Sequence, residues 1–197
     1  MKASIPTTKI IAGAYKGKVL ELPSLDVTRS SKAALKESVF NVLQFDIINK
    51  IFIESFAGSG SIGLEAISRG AKRAYFIELD KNSYSILLKN CKKVDMEKCQ
   101  TIQGNTFVQT PLVLNFLKNY KEDVILYIDP PFDYRDGMED IYHKSFKMIE
   151  DIDVDNIFKI IIEHISKLEV PTILGKFSLE KTRKFGKSSL SYYSYIK

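Results

Sequence analysis

An α/β fold with a mostly parallel sheet and helices on both faces is predicted by three features of this 197-residue chain. Four apolar runs without alternation, IFIE at Ile51, AYFIEL at Ala74, DVILYID at Asp123 and FKIIIEH at Phe158, recur with helical stretches between them. Strands that are apolar on both faces and spaced by helices belong to sheets buried on both sides. The loop FAGSGSIG follows the first run and opens a helix, the strand-turn-helix setting of a βαβ unit.

The elements follow in chain order. Lys9 to Leu22, KIIAGAYKGKVLEL, reads as two short β-prone runs around a Tyr-Lys-Gly turn, a hairpin. Ser30 is the expected N-cap of a helix through about Ile48, with Leu35, Val39 and Val42 on one face. After the strand at Ile51, a helix is expected from about Ser61 to Arg69; after the strand at Ala74, one across Tyr84 to Lys93. Next come a strand at TIQGN from Thr101, a helix to Tyr120, the strand at Asp123, a helix across Met138 to Glu150, and the strand at Phe158. The tail from Gly175 to Ile196 reads as a closing hairpin around a Phe-Gly-Lys turn. Residues 1–48 thus form an N-terminal extension and residues 49–197 the α/β domain.

Apolar content of 45% and charged content of 27% are those of a soluble globular protein, and no apolar run reaches the roughly 18 residues of a membrane span. No secretory leader is visible, and Cys91 and Cys99 lack metal or redox spacing, so a cytoplasmic protein with reduced thiols is expected. His143 and His164, the two histidines, show no metal-ligand spacing either, and no metal is expected. The net charge of +5 is uneven: residues 1–50 carry +4, residues 165–197 carry +5, and the middle carries −4. A basic rim around an acidic centre suits a protein that grips phosphates outside a site for a cation; a solvated lysine surface reads the same way.

Two segments carry chemistry. Gly58, Gly60 and Gly63 form G-x-G-x-x-G, and Glu78 lies 20 residues after Gly58 at the end of the next strand. Glycines there permit a tight turn and close ligand approach, the helix N-terminus offers free N–H groups, and the acid can take two ribose hydroxyls. Both NAD and S-adenosylmethionine fit so far. Glu54, just before the loop, would repel a pyrophosphate and attract the ammonium and sulfonium of S-adenosylmethionine. In the second segment, Ile128-Asp129-Pro130-Pro131-Phe132, an apolar strand breaks into an acid, two rigid prolines and an aromatic ring. An exocyclic amine of a nucleobase is a poor nucleophile because its lone pair is delocalised. Asp129 and the Pro130 carbonyl can hold its hydrogens as nitrogen becomes tetrahedral, and Phe132 can stack on the base. Asn105, in GNT after the third strand, fits either a contact to an adenine or the N-cap of the following helix. Arg29, Lys32 and Lys36 sit at near-helical spacing and could track phosphate, although a solvated face explains them equally well.

The chain resembles, over nearly its whole length, the RsmD family of bacterial 16S rRNA (guanine-N2) methyltransferases. The resemblance rests on KIIAGAYKGKVLELP, TRSSKAALKESVFNVL, FIESFAGSGSIGLEAISRGA, YFIELDKN, GNT, IDPPF, IIEH and KFGKSSLSYYSY. It implies a Rossmann-like, class I S-adenosylmethionine-dependent methyltransferase fold of seven strands with an N-terminal β-hairpin extension. It also implies S-adenosylmethionine as methyl donor, one guanine of small-subunit rRNA as acceptor and RNA binding by the N-terminal extension; a monomer acting on an assembled or assembling particle is expected. Carried over by position, the cofactor site comprises Glu54, Phe56, Ala57, Gly58, Ser59, Gly60, Ile62 and Gly63, then Glu78 and Leu79, then Asn105 and Thr106. The catalytic residues are Asp129, Pro130, Pro131 and Phe132, and Arg29 matches an arginine after the hairpin that contacts RNA. The chain departs from the family at Ser30 to Ala34, where an Asp and an Arg are lost, at Glu54, where Asp is common, and at His164, where serine is typical.

The same acid-Pro-Pro-aromatic chemistry also serves adenine-N6 and cytosine-N4 methylation of DNA, though the chain lacks a separate target-recognition domain. A non-catalytic RNA-binding assembly factor and an NAD-dependent dehydrogenase are the other readings, the last disfavoured by Glu54 and the Asp129 segment.

Overall fold

Five strands of alternating β and α segments pair in parallel to make the centre of an eight-stranded sheet in this computed structural model, which describes residues 6–23, 29–131 and 140–196, without the side chains of 29–32. The hairpin consists of β1 (Thr7–Lys9) and β2 (Val19–Glu21), followed by α1 (Arg29–Leu43). The α/β part runs β3 (Ile51–Ser55), α2 (Ser61–Ser68), β4 (Arg73–Glu78), α3 (Lys81–Val94), β5 (Cys99–Gln103), α4 (Thr106–Leu117), β6 (Val124–Ile128), α5 (Ile141–Glu150) and β7 (Ile157–Ile165). It closes with β8 (Ile173–Leu174), β9 (Phe177–Phe185) and β10 (Ser188–Tyr195).

The strand order is β5-β4-β3-β6-β7-β10-β9-β8, with β10 antiparallel to both its neighbours and β8 antiparallel to β9. From β3 the chain winds outward through β4 to β5, then crosses back to place β6 on the other side of β3. The carboxyl ends of β3 and β6 therefore flank the switch point at which open α/β sheets bind ligands. The central strands β3 and β6 are buried along their whole length because each face of the sheet has its own helices. One core joins Phe52, Phe76, Tyr127, Ile161 and Tyr192 to α1, α2, α3 and the hairpin residues Ile10 and Leu20. The other joins Ile53, Ile77, Leu126, Ile160 and Tyr193 to Val113 and Leu117 of α4 and Met148 and Ile149 of α5.

The hairpin is tied to α2 by a buried carboxylate. Glu65, with no exposed surface, accepts from the N–H groups of Ile11 (2.8 Å) and Ala12 (3.0 Å) and from Arg69 Nε (2.8 Å). Lys36 Nζ lies 3.5 Å from its other side and donates to the Lys9 carbonyl at 2.7 Å. Burial lowers the Lys36 pKa and the Glu65 charge acts against that shift.

Several boundaries differ from expectation. Ser30 lies inside the first turn of α1 rather than capping it, and the helix ends at Leu43, followed by a 3-10 turn over Gln44–Ile47. The helix expected across Tyr84 to Lys93 is α3, capped by Asp80, whose carboxylate accepts from Ser83 N at 2.8 Å. The helix after Thr106 ends at Leu117 rather than Tyr120, and α5 starts at Ile141, Met138 lying outside the described residues. The eighth strand, β8, is two residues long, too short for any periodic signal. Among the described residues no helix is long and apolar enough to cross a membrane.

Candidate active site

Two strand tips meet at the switch point. Ser55, the last residue of β3, stands opposite Ile128, the last of β6, and the Asp129 amide donates to the Ser55 carbonyl at 3.4 Å. The glycine turn and the Asp129-Pro130-Pro131 segment thus leave the sheet side by side. Pro130 is buried and Pro131 exposed, while Phe132 lies outside the described residues.

The turn after β3 is built from inside. Phe56 takes φ of 63°, a left-handed conformation costing a non-glycine residue about 1–2 kcal/mol. Its ring sits edge-on to Phe107 at 5.6 Å, and the next amide, Ala57, donates to Ile77 on β4 at 2.8 Å. The three glycines do different jobs. A side chain at Gly60 would meet Leu87 Cδ1 at 2.5 Å, and one at Gly63 would meet Phe76 Cε1 at 2.4 Å; both are small so that α2 can approach its neighbours. At Gly58, φ is 53° and nothing lies within 4 Å of an added Cβ, so this residue turns its bare side to open space.

Glu54, 4% exposed, accepts from Gly63 N at 2.8 Å and Ile62 N at 3.3 Å. Its charge meets the positive end of α2, where a helix favours an anion. Glu78, at the end of β4, accepts from Gly58 N and Asp80 N, each at 2.7 Å, and Leu79 beside it is 63% exposed. Ser59 is held from α3: the buried amide of Asn90 donates to the Ser59 carbonyl at 2.9 Å and exchanges two hydrogen bonds of 3.0 Å with the backbone of Glu21 on β2. Of the two readings for Asn105, the helix cap is what its side chain makes, accepting from Phe107 N at 2.9 Å, and Thr106 behind it is buried.

Residues that spacing did not single out stand on and behind the strands that carry the two tips. Tyr127, the fourth residue of β6, is buried and donates to Glu163 Oε2 at 2.7 Å. Burial first, and then the nearby charges of Glu163, Asp129 and Glu54, push the Tyr127 pKa well up, which keeps it a neutral donor. The signal for Glu163 was an acid directly after three isoleucines in the run FKIIIEH. The hydroxyls of Ser55 and Thr110 bond at 2.9 Å behind the β3 tip. His164 follows on β7, its Nε2 at 2.8 Å from Ser191 Oγ, and burial lowers its pKa so that it stays neutral.

One expectation for the phosphate-tracking residues is corrected. Lys36 is 2% exposed and paired with Glu65, so it faces the core. It lies three, four and seven residues before Val39, Phe40 and Leu43, all buried, and therefore shares their face of α1. The side chains of Arg29 and Lys32 lie outside the described residues.

The sheet order, the glycine turn at the central strand tip and the acid-Pro-Pro tip beside it define a class I methyltransferase fold. Similar solved structures agree: that of yhhF from Escherichia coli, described as a methyltransferase, superposes with a TM-score of 0.72 at 26% identity over 96% of this chain and 98% of that one. The HI0767 methylase structure from Haemophilus influenzae gives 0.69 at 25% identity, over 98% of this chain and all of that one. Residues 8–194 match the family described as Conserved hypothetical protein 95, and the chain belongs to that family. The relatives called Ribosomal RNA small subunit methyltransferase D include one from Haemophilus influenzae, 36% identical over 129 residues, and one from Escherichia coli, 27% identical over 187. The match spans 64% of this chain and 64% of the first relative, and 94% of this chain and 88% of the second. The resemblance to the RsmD family read from the sequence is thereby borne out.

Proposed function

We propose that the chain is an enzyme that transfers a methyl group from S-adenosylmethionine to the exocyclic N2 of a guanine in 16S rRNA. It acts as a cytoplasmic monomer on an assembled or assembling small ribosomal subunit. The observation that carries this reading is the pairing of Ser55 with Ile128, which sets the glycine turn beside Asp129. The names of the relatives supply the substrate class.

The residues at the turn fit S-adenosylmethionine. Gly58 presents an open backbone face, Glu78 stands at the β4 tip where it would hold the ribose hydroxyls, and the exposed Leu79 would cover the adenine. Carboxylates at Glu54, Asp129 and Glu163 make the surroundings negative, as a cationic ligand requires and a pyrophosphate does not. When bound, the cofactor supplies an electrophilic methyl group. The chain's own part is to hold the amine: Asp129 and the Pro130 carbonyl accept its two N–H groups, which keeps the nitrogen lone pair aimed at the methyl group. As nitrogen gains positive charge the Asp129 carboxylate stabilises it, and the surplus proton leaves to solvent. Prolines on either side of that carbonyl restrict the segment.

The test is to incubate the purified chain with labelled S-adenosylmethionine and unmethylated small subunits, free 16S rRNA or duplex DNA, and digest the products to nucleosides. Label in N2-methylguanosine from rRNA is expected; label in DNA alone, or in another nucleoside, rejects the proposal. A Gly58→Ala variant should bind S-adenosylmethionine at least tenfold more weakly in calorimetry. Its melting temperature should fall only by what about 1–2 kcal/mol of left-handed strain implies. A variant that binds as tightly as the wild type would remove Gly58 from the cofactor site.

A further inference from the structure

The sheet has two ends, and several lysines beside the strand starts at one of them are held in ion pairs. At the end where the parallel strands begin, Lys50 pairs with Asp123, Lys72 with Glu122, Lys159 with Glu180 and Lys176 with Asp153. At the other end, where Asp129 and the glycine turn emerge, Lys167 follows β7 and Arg183, Lys184 and Lys187 lie at the β9–β10 turn. All four are exposed, and none has an ion-pair partner among the described residues.

Topology puts these four on the active-site edge. β10 is antiparallel to β7 and to β9, so β9 runs with the parallel strands and its last residues finish at their carboxyl end. The backbone fixes this corner: the Ser166 amide donates to the Lys187 carbonyl at 2.8 Å. β9 is three strand spacings from β6, which at 4.7–4.9 Å each sets the corner about 14 Å from the Asp129 strand. Lys167 and Lys184 line one hollow of about 470 Å³ together with Ser166, Thr182 and Glu169. Arg183 and Lys184 line a second, of about 490 Å³, with Ser38, Asn41 and Glu37 of α1. In each hollow two cations outnumber one carboxylate, Glu169 or Glu37, and cations converging with hydroxyl and amide groups on a concave surface are the complement of phosphate oxygens.

We infer that the β9–β10 corner, through Lys167, Arg183, Lys184 and Lys187, is a second RNA contact that grips the phosphate backbone a few nucleotides from the methylated base. The inference rests on the proposed rRNA reading and adds a surface to it, far along the chain from the hairpin. Charges on an outer strand also deter edge-to-edge pairing, and that use alone would leave RNA binding indifferent to them.

Binding of unmethylated 16S rRNA as a function of potassium chloride separates the two. Each phosphate contact contributes about 0.7–0.9 to the slope of log K against log salt, so the K167Q/R183Q/K184Q/K187Q variant should lose roughly 3 from the wild-type slope. A control, K92Q/K93Q/K121Q, removes unpaired lysines from the opposite end of the sheet and should leave the slope within half a unit of the wild type. Calorimetric binding of S-adenosylmethionine verifies that both variants are folded. If the fourfold variant is not, K167Q/K187Q replaces it, with an expected loss of roughly 1.6. An unchanged slope, or an equal loss in the control, overturns the inference. Wild-type protein that methylates rRNA with no change in the variant's slope sinks only this corner; wild-type protein that neither binds nor methylates rRNA sinks the function itself.

Discussion

Asp129→Ala is expected to lower the single-turnover rate of methyl transfer by about 10²–10³, the usual cost of removing one preorganised group that stabilises developing charge. S-adenosylmethionine affinity should stay within a few-fold of the wild type, because the Gly58 turn and Glu78 are untouched. Asp129→Asn keeps an acceptor oxygen and loses the charge, so its rate should fall between the two. The backbone of Asp129 also pairs with Ser55, and that bond survives both changes. A rate for the alanine variant within tenfold of the wild type would mean that the amine is held elsewhere.

Glu65→Ala should be the most damaging single change to the fold. It strips the acceptor from two hairpin amides and from Arg69, and it leaves the Lys36 ammonium in the core without its counter-charge. Breaking a buried pair in this way costs about 3–5 kcal/mol. For a chain of this size that is a melting temperature lower by roughly 6–20 °C. Changing both partners, Lys36→Met with Glu65→Ala, removes the orphaned charge and should recover part of the loss. Calorimetry of the single and double variants gives the answer, and a single variant melting within two degrees of the wild type would show that the network holds nothing.

The parallel centre of the sheet was legible because strands covered on both faces must be mostly apolar, and IFIE, AYFIEL and DVILYID are, with acids only at or next to their ends. The active-site pairing was legible in outline too, since both loops follow such runs. What each residue does there was not. Gly58, Gly60 and Gly63 look alike in a motif, yet two are small for packing against Leu87 and Phe76, side chains contributed by other elements. Glu54 read as an attraction for a bound cation, but that its carboxylate also accepts from the first turn of α2 is a relation visible only once the chain has turned back. Lys36 carried a local signal, the buried face it shares with Val39 and Phe40, but its partner Glu65 lies on a different helix. Tyr127 and Glu163 likewise meet only across β6 and β7.

The Asn90 side chain has an effect on the energetics of ligand capture. A single amide from the third helix fastens the Ser59 carbonyl on one side and the β2 backbone on the other. The Ser59 carbonyl is consequently held by the chain's own groups, which leaves fewer backbone rotations to freeze on association than an untethered turn would. Affinity at such a preorganised turn is governed by the contacts themselves, with little lost to ordering the receptor.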